Sequence, residues 1–151
     1  MVIRATIDTN VLISALLAPE SPAPPSTIVR RAIQGEFLLV VSEITISEVR
    51  DKTAHKPFLA RRLSPGYVEG FIAILRDIAV VVPPGPAPPP AMTRDPKDDY
   101  LLAPGILELA DHIVTGDRDL LSIQDMRDNL ILSPAAFLQL LDVEWESGQG
   151  T

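Results

Sequence analysis

Short apolar runs alternate along the chain with longer segments that have helical character. The apolar runs, rich in Val, Ile and Leu, are typical of buried strands and lie at 2–7, 37–41, 78–82, 111–115 and 129–132. Helices are predicted between and after these runs at 11–17, 26–34, 42–55, 64–77, 95–109, 119–123 and 133–141. Because strands that alternate with helices form parallel sheets, the pattern predicts an α/β domain whose sheet is covered on both faces.

Composition is that of one ordinary globular domain. Hydrophobic residues make up 46% and charged residues 22% of the 151 residues, which fits a chain with a substantial core. We predict a single domain at 1–143 and a polar C-terminal tail at 144–151. No apolar run approaches the ~20 residues of a membrane span. The amino terminus lacks the basic-then-apolar layout of a signal peptide, so we expect a cytoplasmic location.

Cysteine content and net charge narrow the classes of function. The chain has no cysteine, which excludes disulfides and thiol catalysis and agrees with a reducing compartment. The formal net charge of −7 counts against nucleic-acid binding, which usually requires an excess of Lys and Arg. That argument weakens if the acidic residues gather around bound cations.

Two carboxylates stand where predicted strands end. Asp8 follows the first strand, and Asp117 follows the strand at 111–115. In an open parallel sheet this is the edge where ligands bind. Each residue also has a purely structural interpretation. Asp8 could be the N-cap of the next helix, although Thr9 is an alternative for that position. Asp117 could stabilise a turn through its side chain.

Two further carboxylates are predicted on inward helix faces. Glu48 follows Ile44 by one helical turn, and Asp98 precedes two leucines, at 101 and 102, by one turn. The structural alternatives are an ion pair for Glu48 and a helix N-terminus charged by Asp98 or Asp99. Four carboxylates in such positions would repel one another without a cation between them. Oxygen ligands without sulfur or imidazole suit Mg²⁺ or Mn²⁺, and such sites serve phosphoryl chemistry.

Four segments of the chain resemble, in order, those of the PIN-domain ribonucleases, and most closely the PIN-family toxins of bacterial toxin–antitoxin systems. The segments are IDTNVLIS at 7–14, SEITISEV at 42–49, RDPKDDYLLA at 94–103 and ADHIVTGDRDLL at 110–121. The resemblance implies a three-layer α/β/α sandwich with four to five parallel strands. It implies an acidic pocket for Mg²⁺ or Mn²⁺, in which a metal-activated water cleaves RNA endonucleolytically. It also implies a cognate antitoxin and a homodimer.

The resemblance assigns roles residue by residue. The catalytic quartet falls on Asp8, Glu48, Asp98 and Asp117, and the metal ligands among them are Asp8, Asp98 and Asp117. Polar positions that line the same pocket fall on Asn10 and Thr115. Auxiliary roles fall on Asp95 and Asp119, and Asp99 competes with Asp98 for its role. The choice between one metal ion and two stays open.

Basic residues gather in the first half of the chain. We predict that they form a rim contacting the RNA phosphates, and they are Arg30, Arg31, Arg50, Lys52, Arg61 and Arg62. A solvated helix surface explains the same residues equally well.

Two alternatives to an active nuclease stay open. Pro104-Gly105 predicts a kink or break in the helix at 95–109, because Pro in a helix interior costs ~3 kcal/mol. A break that misplaces Asp98 would leave a degenerate PIN domain that binds RNA or protein without catalysis. A phosphoacceptor receiver domain also gathers carboxylates at the sheet edge, but it needs an acceptor Asp where this chain has Val82-Pro83-Pro84.

Overall fold

In the described chain each strand is followed by one to three helices. The computed structural model describes residues 2–84, 101–123 and 129–149, with side chains up to residue 144. Its elements are, in chain order, β1 (Arg4–Ile7), α1 (Thr9–Leu17), α2 (Pro24–Ile33), β2 (Leu38–Ser42), α3 (Glu43–His55), α4 (Pro57–Arg62), α5 (Pro65–Ile78), β3 (Val80–Val82), α6 (Pro104–Leu109), β4 (His112–Val114), α7 (Arg118–Leu121), β5 (Ile131–Leu132) and α8 (Pro134–Gln149). None of the described helices has the length and apolar character needed to cross a membrane.

The five strands form one parallel sheet in the order β3-β2-β1-β4-β5. The first strand lies at the centre, with Ala5 opposite Leu39 of β2 and Ile7 opposite Val114 of β4. The chain therefore builds the sheet outward on one side of β1 and then crosses to the other side. Ligand crevices form where the strand order reverses, which is here the carboxyl end of β1 and β4. The order also differs from the 2-1-3-4-5 order of receiver-type folds, which argues against the receiver alternative.

Helices cover both faces of this sheet, which confirms the predicted α/β/α sandwich. On one face a large cluster joins Ile7 of β1 to buried side chains of the helices, including Leu12, Ile46 and Leu75. Smaller clusters on the other face bring α6 and α7 against the sheet through Ile106 and Leu120. Residues that alternate along β2 thus contribute to opposite layers, with Leu39 and Val41 in the large cluster and Val40 in a smaller one.

The helices predicted to begin at 42, 64 and 133 are each capped by the serine at that position. At the start of α8 the Ser133 hydroxyl accepts a hydrogen bond from the backbone N–H of Ala136 (3.1 Å). The Ser42 hydroxyl accepts hydrogen bonds from the backbone N–H groups of Ile44 (2.8 Å) and Thr45 (3.4 Å) at the start of α3. The Ser64 hydroxyl accepts one from Tyr67 (3.2 Å) at the start of α5, where Pro65 takes the first helical position.

The structure departs from the predicted helices at three places, and proline explains two of them. The helix predicted at 26–34 already begins at Pro24, and the Ser26 hydroxyl donates to the Ala18 carbonyl (2.6 Å). The helix predicted at 42–55 ends at His55, but Pro57 then opens α4, which the pattern did not predict, since Pro is favoured in the first helical turn. The helix predicted at 133–141 continues as α8 to Gln149.

The predicted helix at 95–109 is divided. Within its described part, α6 begins at Pro104, and Ala103 occupies the N-cap position. Pro104 therefore starts a helix and does not kink one. Positions 95–100 of that prediction lie outside the described residues. So does the proline-rich segment at 85–90, whose composition predicts an extended surface loop.

Thr6 is an unusual residue for the middle of the central strand. Its side chain is fully buried opposite Ile113, and its hydroxyl has no hydrogen-bond partner among the described residues. A buried, unsatisfied hydroxyl costs free energy. We therefore expect Thr6→Val, which keeps the shape, to raise the free energy of unfolding by about 1 kcal/mol in urea denaturation. Thr53→Val is the matched control: it deletes a hydroxyl that donates to the Val49 carbonyl (2.7 Å) and should not stabilise. A loss of stability in Thr6→Val would contradict the prediction.

Candidate functional site

Asp8 lies at the point where β1 passes into α1. Its backbone occupies the N-cap position of α1, but its side chain makes no capping hydrogen bond. The carboxylate instead accepts a hydrogen bond from the Thr115 hydroxyl (2.8 Å), and the residue is only 5% exposed. The N-cap interpretation of Asp8 is therefore right for the backbone and wrong for the side chain.

Thr115 connects the two strand-end carboxylates. While its hydroxyl donates to Asp8, the same oxygen accepts a hydrogen bond from the backbone N–H of Asp117 (3.0 Å). The Asp117 carboxylate in turn accepts from the backbone N–H of Asp119 (2.8 Å) and caps α7. The turn role predicted for Asp117 is thus present. Asp119 lies two residues after Asp117, in the first turn of α7.

Asp8 and Asp117 face one cleft at the carboxyl edge of the sheet. The cleft has a volume of about 340 Å³ and is lined by Asp8, Asn10, Val11, Ser14, Pro25, Gly116, Asp117 and Pro134. Its walls come from the first turn of α1, the loop after β4 and the starts of α2 and α8. This is the crevice expected from the reversal of strand order, and it contains the predicted Asn10 as well as both aspartates.

Glu48 lies at one side of this site, on α3. Its side chain is 25% exposed and stands 3.6 Å from the Lys52 ammonium, one turn further along the helix. That ammonium also donates to the Asn10 side-chain oxygen (3.3 Å) and so connects α3 with α1. The inward face predicted from Ile44 is wrong: Ile44 is 40% exposed, and the buried side of α3 is formed by Thr45, Ile46, Val49 and Thr53.

Asp98, Asp95 and Asp99 lie outside the described residues. The two leucines that follow Asp98 are described, and Leu101 and Leu102 are 0% and 2% exposed. They share a cluster with Ile113, which pairs with Thr6 two residues before Asp8. The inward orientation predicted for these leucines is therefore confirmed.

The described residues offer oxygen atoms as metal ligands at the cleft. Asp8 and Asp117 supply carboxylates, and Asn10 supplies an amide oxygen, which are the ligand types that Mg²⁺ and related hard cations prefer. A carboxylate as buried as that of Asp8, hydrogen-bonded to a neutral hydroxyl, favours a nearby cation. Within residues 2–84, 101–123 and 129–149, no three His, Cys, Asp or Glu side chains are grouped closely enough to hold a metal ion. The described part of the chain thus provides some, and not all, of the predicted ligands.

Most of the predicted RNA-contacting cations bind other partners on the protein. Arg50 forms two 2.9 Å hydrogen bonds to Glu69, which raise its pKa. Arg31 pairs with Glu36 and Asp142, and Arg30 donates to the Pro19 carbonyl. Arg61 and Arg62 lie on α4 at a different cleft, which Leu16 and Tyr67 also line. Lys52 alone among the six contacts a side chain that lines the acidic cleft.

Two contacts of the site were absent from the prediction. One is the double hydrogen bond of Thr115, which depends on the register between β1 and β4. The other is the hydrogen bond from Lys52 to Asn10. The sequence indicates only that Lys52 follows Glu48 by one helical turn, and it does not indicate the contact with Asn10.

The chain matches the model of a known protein family. A family model described as PIN domain matches residues 4–119, which is 116 of the 151 residues. No curated protein was found to match the chain. The matched range begins with β1 and ends within α7, so it includes all four carboxylates predicted for the catalytic quartet.

Proposed function

The chain belongs to the PIN-domain family, and from this premise we propose that it is a metal-dependent endoribonuclease that hydrolyses RNA phosphodiester bonds. PIN domains are in general nucleases. The observation that carries the proposal is the carboxylate of Asp8, which is buried at the cleft, does not cap its helix and is hydrogen-bonded to a neutral hydroxyl. Such a carboxylate adds nothing to the local helix, so a role toward a cation accounts for it best.

The proposed roles follow the positions of the residues. Asp8, Asp98 and Asp117 would hold Mg²⁺ or Mn²⁺, while Asn10 completes the wall of the cleft. Thr115 fixes the Asp8 carboxylate through its 2.8 Å hydrogen bond and so sets the direction of a ligand oxygen. Glu48, at the side of the cleft, would orient the attacking water. The bound cation would supply an activated water and neutralise the charge that develops on the phosphate.

Auxiliary positions surround these ligands. Asp119 supports the loop through its backbone N–H, which donates to the Asp117 carboxylate. We propose auxiliary roles for Asp95 and Asp99 as well, since both accompany Asp98 in the segment that precedes the buried Leu101.

The direct test is cleavage of a labelled, structured RNA in the presence of Mn²⁺, Mg²⁺ or EDTA. We expect endonucleolytic products with either metal and none in EDTA. Mn²⁺ binding measured by calorimetry in the absence of RNA separates the outcomes. Binding without cleavage of a panel of RNAs would contradict ribonuclease activity, and the absence of both would contradict the metal-dependent site.

The alternative is a PIN domain that has lost catalysis and binds RNA or protein. The start of α6 at Pro104 favours it, because the predicted helix that carries Asp98 is not continuous with α6. The burial of Leu101 and Leu102 argues against this alternative, because these leucines hold the chain that follows Asp98 against the sheet. We therefore favour the active nuclease, and RNA binding without metal binding would favour the alternative.

We further propose that the nuclease is the toxin of a toxin–antitoxin pair that acts in the cytoplasm. The resemblance of the four sequence segments to PIN-family toxins supports this role, together with a cognate antitoxin and a homodimer. Induced expression of the wild-type chain alone should arrest bacterial growth and lower the amount of intact RNA. Unaffected growth at a confirmed protein level would contradict the toxin role and leave the nuclease proposal standing.

A further inference from the structure

Lys52 stands between α3 and the rim of the acidic cleft. Its ammonium nitrogen is 3.3 Å from the Asn10 side-chain oxygen and 3.6 Å from a Glu48 carboxylate oxygen. Asn10 lines the cleft beside Asp8, so the positive charge of Lys52 lies at the entrance of a negatively charged site. The lysine side chain is 29% exposed, which leaves part of it in contact with solvent.

The contacts of Lys52 are easily exchanged. The 3.6 Å separation from Glu48 is longer than an ordinary hydrogen bond, and the Asn10 amide oxygen carries no net charge. A lysine ammonium has three donors on a flexible stem, so it can keep one protein contact and offer another donor to a ligand. In contrast, Arg50 on the same helix is held by two short hydrogen bonds to Glu69.

A polyanionic substrate needs a cation at this entrance. The chain carries a formal net charge of −7, and the cleft itself displays the carboxylates of Asp8 and Asp117. A phosphodiester backbone that approaches such a surface is repelled unless a positive charge is close to its path. Among the six cations predicted to contact RNA, Arg30, Arg31 and Arg50 bind other groups, and Arg61 and Arg62 lie at another cleft. Lys52 is the one of the six whose ammonium reaches a side chain that lines the acidic cleft, so it is placed to supply that charge.

We propose that Lys52 is the substrate-positioning residue of the cleft and binds a backbone phosphate of the RNA beside the bond that is cleaved. This inference rests on the proposed ribonuclease function for the identity of the polyanion. The phosphate replaces Glu48 as the charged partner of Lys52, while Asn10 retains its hydrogen bond. Lys52 thereby fixes the register of the RNA on the cleft and leaves the chemical step to the carboxylates.

The test is RNA binding in EDTA, where hydrolysis does not interfere. The affinity of a fluorescein-labelled single-stranded RNA for Lys52→Met is measured by anisotropy over a range of KCl concentrations. We expect Kd to rise about tenfold at low salt, which is the effect of one lost contact to a charged group. The slope of log K against log salt should fall by about 0.7, the value for one phosphate contact on a single strand. Lys52→Arg should restore both quantities.

Arg50→Met is the matched control, because it removes one positive charge from the same helix without reaching the cleft. It should leave the salt slope unchanged. In cleavage assays with Mn²⁺, Lys52→Met should raise KM with little change in kcat, since the lysine binds the substrate and not the reacting atoms. Equal Kd and equal salt slope in Lys52→Met and Arg50→Met would overturn the proposal.

The outcomes also separate this inference from the proposed function. A wild-type chain that cleaves RNA, with a Lys52→Met variant that matches Arg50→Met in every measurement, refutes the role of Lys52 alone. A wild-type chain that neither binds nor cleaves RNA refutes the ribonuclease function, and the role of Lys52 fails with it.

Discussion

Replacing Asp8 by asparagine is expected to abolish metal-dependent RNA cleavage while leaving the fold at least as stable as that of the wild-type chain. The amide oxygen of asparagine can accept the hydrogen bond that Thr115 now donates to the carboxylate, so the local geometry is preserved. The charge that would attract Mg²⁺ or Mn²⁺ is lost, and we expect the cleavage rate to fall at least ~100-fold.

Stability provides the second part of this prediction. Asp8 is 5% exposed and its carboxylate is hydrogen-bonded to a neutral hydroxyl, so removal of the charge lowers the cost of burying the side chain. In EDTA the free energy of unfolding of Asp8→Asn, measured with urea, should equal or exceed that of the wild type. Added Mn²⁺ should stabilise the wild type and not the variant, since a ligand stabilises only the state that binds it.

The control for Asp8→Asn is Asp77→Asn, which makes the same chemical change on the exposed surface of α5. It should keep both cleavage and Mn²⁺ stabilisation. Two results would count against the role of Asp8: cleavage by Asp8→Asn at the wild-type rate, or a marked loss of stability in EDTA. The second would mean that the carboxylate serves the fold.

Phe137→Ala is expected to cost the fold about 3–5 kcal/mol, the largest stability loss that we predict. Phe137 is fully buried where α8 packs on the sheet. Its ring meets that of Phe37 edge to face, with 5.1 Å between centroids and an interplanar angle of 83°, and it also lies 5.9 Å from the ring of His112. Truncation removes these contacts and leaves a cavity.

Urea denaturation followed by circular dichroism measures this loss. Phe58→Ala is the control, because Phe58 is 53% exposed, and its replacement should change the free energy of unfolding by no more than about 1 kcal/mol. A double-mutant cycle of Phe37→Ala and Phe137→Ala should give a coupling energy of about 0.5–1.5 kcal/mol for the edge-to-face pair. Equal effects of Phe137→Ala and Phe58→Ala would show that α8 does not contribute to the core.

The sequence predicted the strands better than the helix ends. Apolar runs locate strands because a strand buried on both faces is apolar throughout. Helix boundaries at proline are ambiguous, because proline ends one helix and opens the next equally well, as Pro57 does between α3 and α4. The inward position predicted for Ile44 is wrong, because a helical repeat gives the spacing of residues on a face but not which face meets the sheet.

The candidate site, too, could be predicted from the sequence only in part. Asp8 and Asp117 could be predicted because strand ends in a parallel sheet converge at one edge. The contact partners of the basic residues could not be predicted, because they come from distant parts of the chain. Arg31 binds Asp142, which is 111 residues away, and Arg50 binds Glu69, which is 19 residues away. Spacing in sequence carries no information about such pairs. The role proposed for Lys52 therefore rests on contacts between residues that are distant in sequence, since these contacts engage the other cations.

The order in which the strands are synthesised determines when the cleft can form. Asp8 leaves the ribosome before Thr115, whose hydroxyl holds its carboxylate and which lies 107 positions later. At roughly 5–20 residues per second, translation needs about 5–20 s to cover that distance. During this interval the nascent chain carries the Asp8 carboxylate without the hydrogen bond that orients it. The strand order therefore delays completion of the cleft until β4 and the loop after it have been synthesised.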